Sequence, residues 1–335
     1  MTNNNPSKLI DSFARQIRYL RLSVTDRCNL RCTYCMAEDM VFLPKAKVLS
    51  LEEMVFISQA FVELGVEKIR LTGGEPLVRH GVVELAEKLS KIDGLRELVM
   101  TTNAVLLKKY AQPLHDAGVS RLNISIDSLQ PSRFKMLTRF GVLDDVLSGI
   151  QHARQIGFDR IKLNVVILKG INDDEVTDLA RFALDRDLDI SFIEEMPLGE
   201  ISSHQRVNTQ INSLTIREQL ESVFTLTDAN FSDPAAGPAR YLQIANSNTK
   251  VGFISPMSEN FCASCNRVRL TTEGSLLLCL GNEHSLDLRA IVREHPDDID
   301  YLKKQIIASM QRKPEQHHFD PNDITITRYM SATGG

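Results

Sequence analysis

No apolar run in this sequence approaches the roughly 18 to 20 residues that a helix needs to span a bilayer. The opening residues, MTNNNPSKL, are polar and lack the basic and apolar regions of a secretory signal, so a cytoplasmic location is expected. Charge of one sign is also scarce. A formal net charge of −4 supplies no general basic field for wrapping a nucleic-acid polymer. An anionic partner must then be held by a few local Arg and Lys side chains, which suits a small anion. The GxxxxGK[ST] loop that cradles phosphate with backbone amides is absent too, so any phosphate recognition falls to side chains. There is no internal repeat, coiled coil or low-complexity tract. Cysteine is sparse, at six in 335 residues, and none stands alone.

What remains is the composition of a globular protein, 43% hydrophobic and 24% charged, long enough to bury a large core. Short β-branched runs (LRLSV, KIRLT, ELVMTT, RLNISI, KLNVVIL, DISFIEE) read as parallel strands. Amphipathic segments separate them: Leu51 to Leu64, with Ser50 as N-cap and Gly65 as stop, Val82 to Lys91, and Leu106 to Ala117, stopped by Gly118. Six such units predict an α/β fold, an incomplete (βα)6 TIM-like barrel open along one side. After about residue 197 the alternation fades, so a barrel domain over 1–196 and a smaller C-terminal domain over 197–335 are expected. In parallel α/β folds reactive groups gather where the loops after the strands converge. The loop 26–36 follows the first strand and TGGEP follows the second.

The cysteines form two triplets, Cys28, Cys32 and Cys35, then Cys262, Cys265 and Cys279. In a reducing compartment such clusters are metal ligands more often than disulfides, and three ligands leave one coordination position open. Three thiolates on one short loop can hold three irons of a [4Fe–4S] cluster. The alternative for the first triplet is a zinc site completed by a distant His. For the second, spaced C-x2-C-x13-C, it is a zinc knuckle, with His284 the nearby fourth ligand. GGEP at Gly73 to Pro76 either lets a ligand approach the backbone closely or serves a tight turn. Arg267 and Arg269 lie two residues apart on a predicted strand, hence on one face, and two guanidinium forks there suit a polyphosphate or, failing that, a solvated edge. His317 and His318, in RKPEQHHFD, read as surface residues.

The C-x3-C-x2-C spacing with Tyr34 before its last cysteine resembles the signature of the radical S-adenosylmethionine (SAM) superfamily. Over nearly the whole chain, the two triplets, FCASCNRVRLTTEG, VILKGINDDE and the terminal Gly334 and Gly335 resemble the GTP 3′,8-cyclase family of molybdenum cofactor biosynthesis. That resemblance implies two [4Fe–4S] clusters, one on each triplet, and SAM contacts at Tyr34, Gly74, Ser125 and Met196. It implies GTP contacts at Arg21, Lys68, Arg70, Thr101, Lys162, Arg267, Val268 and Arg269, with Arg267, Arg269, Gly334 and Gly335 serving the reaction. It also implies a double-glycine tail inside the barrel, a reduced flavodoxin- or ferredoxin-type electron donor, and room for a homodimer. Two positions depart from the family pattern: Ser191 stands where an Arg is usual, and TTNA at 101–104 replaces TTNG. The other explanation of buried strand-end cations is internal pairing with Glu75, Glu194 or Glu195. Two other functions stay open on residues alone: a radical SAM enzyme acting on a peptide or another nucleotide, and a two-zinc binding or scaffold protein.

Overall fold

The computed structural model describes residues 8–199, 201, 204, 206–229, 233–320 and 326–334. Six strands, β1 (Tyr19–Ser23), β2 (Lys68–Thr72), β3 (Glu97–Thr102), β4 (Arg121–Ser125), β5 (Arg160–Ile167) and β6 (Asp189–Glu194), lie side by side in chain order, each parallel to the last. Helices α1 (Leu51–Glu63), α2 (Val82–Ser90), α3 (Leu107–Asp116), α4 (Pro131–Thr138), α5 (Leu143–Ile156) and α6 (Val176–Leu184) make the crossovers. This is the expected partial barrel. α1 begins where Ser50 accepts the Glu53 amide at 3.1 Å while Glu53 accepts the Ser50 amide at 2.7 Å, and it stops at Gly65, whose φ of +90° suits glycine.

The strand pattern sorts side chains onto two faces. Leu20, Leu22, Ile69, Leu71, Leu122, Ile124, Leu163 and Val165 are buried in one hydrophobic core with Ile57, Phe61, Leu85 and Leu114 of the helices. Each such side chain contributes roughly 1.5 to 3 kcal/mol. The alternate residues, Tyr19, Arg21, Lys68, Arg70, Arg121, Asn123, Lys162 and Asn164, line an interior cavity. An ordinary closed barrel fills that space with branched apolar side chains. Here polar and cationic strand residues take those positions around a space open to a ligand.

Beyond residue 197 come α7 (Arg206–Thr209), α8 (Ser213–Glu221), β7 (Leu226–Asp228), β8 (Arg240–Ile244), β9 (Lys250–Ile254), β10 (Arg267–Leu270), β11 (Ser275–Leu277), β12 (Ser285–Asp287), α9 (Leu288–Glu294), α10 (Ile299–Ser309) and α11 (Met330–Thr333). β9 adds in parallel to β6, and β10 adds in parallel to β1 at the opposite edge, giving the order β12-β11-β10-β1-β2-β3-β4-β5-β6-β9-β8-β7. The later part of the chain thus extends the barrel wall on both flanks. Among the described residues no helix is long and apolar enough to cross a membrane.

The pairing of β1 with β10 fixes where the cysteines stand. Tyr19 lies opposite Arg267, so Cys262 and Cys265 precede the strand level at which β1 starts, whereas Cys28 follows its end. The two triplets therefore sit at opposite ends of the barrel, separated by at least the five residues of β1, roughly 16 Å of parallel strand.

Candidate active site

At the end where the parallel strands finish, Cys28, Cys32, Cys35, Tyr34, Gly74, Thr101, Ser125 and Met196 line one cavity of about 190 Å3. The glycines of GGEP have a steric cause. Gly74 donates to Thr25 O at 2.8 Å and Glu75 to Arg27 O at 2.9 Å, so this turn lies against the backbone of the cysteine loop. A Cβ on Gly73 would collide with Thr25 O, and one on Gly74 would stand 2.5 Å from Arg27 O. Buried Glu75 ties the next turn in place, accepting from Leu77 N at 3.0 Å, Thr102 Oγ1 at 2.8 Å and Asn103 N at 2.7 Å. Tyr34 donates to Asp127 Oδ2 at 2.6 Å, which fixes its ring in the cavity wall.

The donor set suits an iron–sulfur cluster. Burial pushes the Cys28 thiol up to about 11 and Cys35 to about 12, and raises Cys32 as well. Such thiols need a strongly cationic partner to become thiolates. Leu30 N and Asn103 Nδ2 lie 3.3 and 3.8 Å from Cys28 Sγ, as donors to a ligating sulfur would. Among the described residues no group of three His, Cys, Asp and Glu closes around a point suited to a single metal ion, and the corners of a cubane are spread more widely.

At the other end, Cys262, Cys265 and Cys279 line a second cavity of about 180 Å3 with Arg21, Lys68, Arg70, Lys162, Arg267, Val268 and Arg269. Its thiols differ among themselves: burial raises Cys279, while Cys265 goes the other way. Burial would raise the Cys265 thiol, but the charges of Arg267 and Lys313 outweigh it and bring it down to about 7. Lys313, buried, lies 3.6 Å from that sulfur and donates to Arg267 O at 3.1 Å. Arg15, paired with Asp11 at 2.6 Å, donates to Cys262 O at 2.8 Å. Val268 belongs to the hydrophobic core, so only its backbone faces the cavity. Asn164, Ile193, Met196 and Met330 line both cavities, which therefore abut.

Glu75, Glu194 and Glu195 do not neutralise these cations. Glu194 accepts from Ser213 N and Met257 N, and Glu195 holds His204, Arg206 and Thr209. Among Lys68, Arg70, Lys162, Arg267 and Arg269, Lys68 alone has a described carboxylate partner, Glu97 at 2.5 Å. Burial and the charges of Arg21 and Arg267 push Arg269 well below its ordinary value, and burial with Arg70 and Arg267 brings Arg21 to about 10. An anion would relieve that crowding.

The C-terminal tail closes the same space. Gly334 O accepts from Arg269 Nη1 at 2.5 Å and Arg21 Nε at 3.2 Å, and the residue is buried at φ +77°. Gly335 lies outside the described residues. Ser191 lies against Tyr241 and Gly252 and lines neither cavity, while Ala104 occupies a left-handed φ of +63°.

One expectation fails. His317 is not a surface residue: it is half-buried in the wall of the second cavity, stacked on Phe319 with ring centroids 4.5 Å apart. Gly281 makes room, since a Cβ there would stand 2.7 Å from that of His317. His318 and His284 are exposed. The sequence also left Tyr19, Arg121, Asn123, Asn164, Tyr241 and Lys313 unremarked. Period-two alternation through Ser125 and Lys162 would have found Asn123 and Asn164; nothing local marks Tyr241 or Lys313.

The Radical SAM superfamily profile matches residues 22–183, and the Molybdenum Cofactor Synthesis C profile matches 188–319. Two curated relatives named GTP 3′,8-cyclase, from Pseudomonas entomophila (strain L48) and Pseudomonas putida (strain W619), are each 58% identical over 99% of both chains. The chain belongs to the GTP 3′,8-cyclase family. Another from Pseudomonas fluorescens (strain Pf0-1) is 55% identical over 98% of both chains. Streptococcus suis SuiB bound to S-adenosylmethionine shares the fold at a TM-score of 0.65 and 15% identity, covering 88% of this chain and 68% of that one. Membership brings two [4Fe–4S] clusters and SAM as cofactors, and the thiols described above fit them.

Proposed function

We propose that the chain converts GTP to (8S)-3′,8-cyclo-7,8-dihydroguanosine 5′-triphosphate, the lyase-type first step of molybdenum cofactor biosynthesis. The observation that carries the reading is the cationic interior between two cysteine triplets, which pairs a radical-SAM cavity with a site for a nucleoside triphosphate. Cys28, Cys32 and Cys35 would hold one cluster and Cys262, Cys265 and Cys279 the other. When bound, the first cluster and SAM supply a 5′-deoxyadenosyl radical.

The rest is the work of this chain's residues. Tyr34, Gly74, Ser125 and Met196 form the walls that seat SAM. Arg21, Arg70, Lys162, Arg267 and Arg269 bind the triphosphate, with Lys68, already paired with Glu97, at the rim and the Val268 backbone beside them, and Thr101 braces Arg70 Nη1 at 3.3 Å. Gly334 orients Arg21 and Arg269 from the tail side through its carbonyl. The abutting cavities let the ribose lie between SAM and the purine end. The cytoplasm, a low-potential flavodoxin- or ferredoxin-type donor and a homodimer fit this role.

The test is anaerobic incubation with SAM, reductant and each nucleoside triphosphate, followed by mass analysis. GTP alone should yield a cyclised product. Arg267→Ala or Arg269→Ala should weaken GTP binding roughly ten- to a hundredfold, the loss of a contact worth about 1.5 to 3 kcal/mol, while SAM binding holds. Unchanged GTP affinity in both variants would refute the assignment.

A further inference from the structure

The cations of the second cavity need acceptors to hold them, because Arg and Lys lose much rotamer freedom when aimed at a point. At the cavity's rim the acceptor is a carboxylate: Glu97 takes Lys68 at 2.5 Å and Arg121 at 2.8 Å. Deeper in, it is a phenol. Arg70 donates its Nε–H to the Tyr19 hydroxyl, and Arg21 Nη1 lies 3.4 Å from the same oxygen. On the far side Lys162 donates to the Tyr241 hydroxyl at 3.0 Å, with Nζ 5.5 Å from the ring centroid. Tyr19 comes from β1 and Tyr241 from β8, so the device is built twice from separate strands. Gly252 is shaped for the second copy: a Cβ there would stand 2.8 Å from Tyr241 Cε1.

Acceptor chemistry matters. A carboxylate would hold each cation more firmly but cancel its charge and compete with an incoming anion. A phenol that keeps its proton fixes the direction and leaves the charge available, which for Tyr19 holds below about pH 7. We infer that Tyr19 and Tyr241 are positioning residues that hold Arg70 and Lys162 aimed into the cavity without neutralising them, for a ligand bearing several phosphates. This rests on the reading that the second cavity takes a nucleoside triphosphate. The electrostatic contact is independently visible in the phenols: burial would raise Tyr19, yet Arg70, Arg21 and Lys68 bring it to about 7, and Lys162 lowers Tyr241 against burial.

The experiment uses the two-cluster holoenzyme and compares equilibrium binding of GTP, GMP and SAM. Tyr19→Phe and Tyr241→Phe should each shrink the preference for GTP over GMP about tenfold, the effect of a misdirected charged contact, with iron content and SAM affinity unchanged. In an Arg70→Ala background Tyr19→Phe should cost clearly less than it does alone, the remainder acting through Arg21, and in a Lys162→Ala background Tyr241→Phe should add nothing. An undiminished preference in both phenylalanine variants, or full additivity in both cycles, overturns the inference. If Arg70→Ala and Lys162→Ala also leave the preference intact, it is the triphosphate reading that fails. Should Tyr19→Phe lose its iron, the Tyr241 cycle decides the matter.

Discussion

Replacing Gly334 with alanine puts a number on the tail. At φ +77° an L-residue costs roughly 1 to 2 kcal/mol. The new Cβ would stand 2.5 Å from Thr72 Cγ2 and 3.4 Å from Ser23 Cβ, an overpacking that typically costs about 1 to 3 kcal/mol more. Opposing this are the carbonyl's two guanidinium contacts, at 2.5 and 3.2 Å, each worth about 1.5 to 3 kcal/mol. Penalty and hold are of the same size, so the variant should release or shift its tail in a large fraction of molecules. Because the substitution lies at a chain end, thermal stability should scarcely change. A misplacement of about 1 Å can cost roughly a hundredfold in rate, so the 3′,8-cyclised product should fall by about that factor. SAM cleavage, assayed as 5′-deoxyadenosine, should persist uncoupled from it. Deletion of Gly334 and Gly335 should do the same more completely. A Gly334→Ala enzyme that cyclises GTP at the parent rate would refute the reasoning.

Anaerobically reconstituted protein should hold about eight irons and eight sulfides, two cubane clusters' worth, by chemical analysis. Changing Cys28, Cys32 and Cys35 to Ala should halve that and abolish SAM cleavage, whereas changing Cys262, Cys265 and Cys279 should spare cleavage and eliminate cyclised product; stoichiometric zinc would contradict both. Ala104→Gly relieves a left-handed alanine, worth about 1 to 2 kcal/mol, but loses a buried methyl worth about 0.8 and adds chain entropy of about 0.5 to 1, so the Tm should move by no more than about 3 °C in calorimetry. Tyr19, ordinarily near 10, should titrate near 7 in the difference absorbance of the parent protein against Tyr19→Phe. Since the folded value is the lower one, the ionised phenol stabilises the parent relative to the variant above about pH 10, less so as pH falls from 10, and not at all below about 7, which denaturation at several pH values would reveal.

Much of the barrel was legible because local signals and tertiary demands agreed. The β-branched strand runs, the Ser50 cap and the Gly65 and Gly118 stops each act through neighbours in sequence, and all stand where the pattern put them. Both cysteine triplets stood out in the sequence as groups of three, and each group lines one cavity. What escaped was set by distant partners. The burial of Lys313 follows from carbonyls at 267 and 278, and the inward turn of His317 from a missing side chain at Gly281. Tyr241 reaches the interior only because β8 lies beyond β9, itself joined to β6, a pairing that no local pattern announces. Glycine 73 and 74 were legible as important, but the contact that demands them, the backbone of residues 25–27, appears only in three dimensions.

The in-register union of β1 with β10 makes the barrel wall a ruler. One end of it is graduated by Cys265, two residues before the paired level, and the other by Cys28, beyond the last. The strand part of that span is a count of peptide units, and loop enters it only from Ser23 on to Cys28 and from Arg267 back to Cys265. A substrate that bridges both ends is thus measured largely by a stiff gauge. Lengthening the reach by one residue would require the same insertion in neighbouring strands at once, since a slip in a single strand would turn its arginines into the apolar core. Enzymes of this build should therefore change substrate by recolouring the wall, side chain by side chain, far more readily than by resizing it.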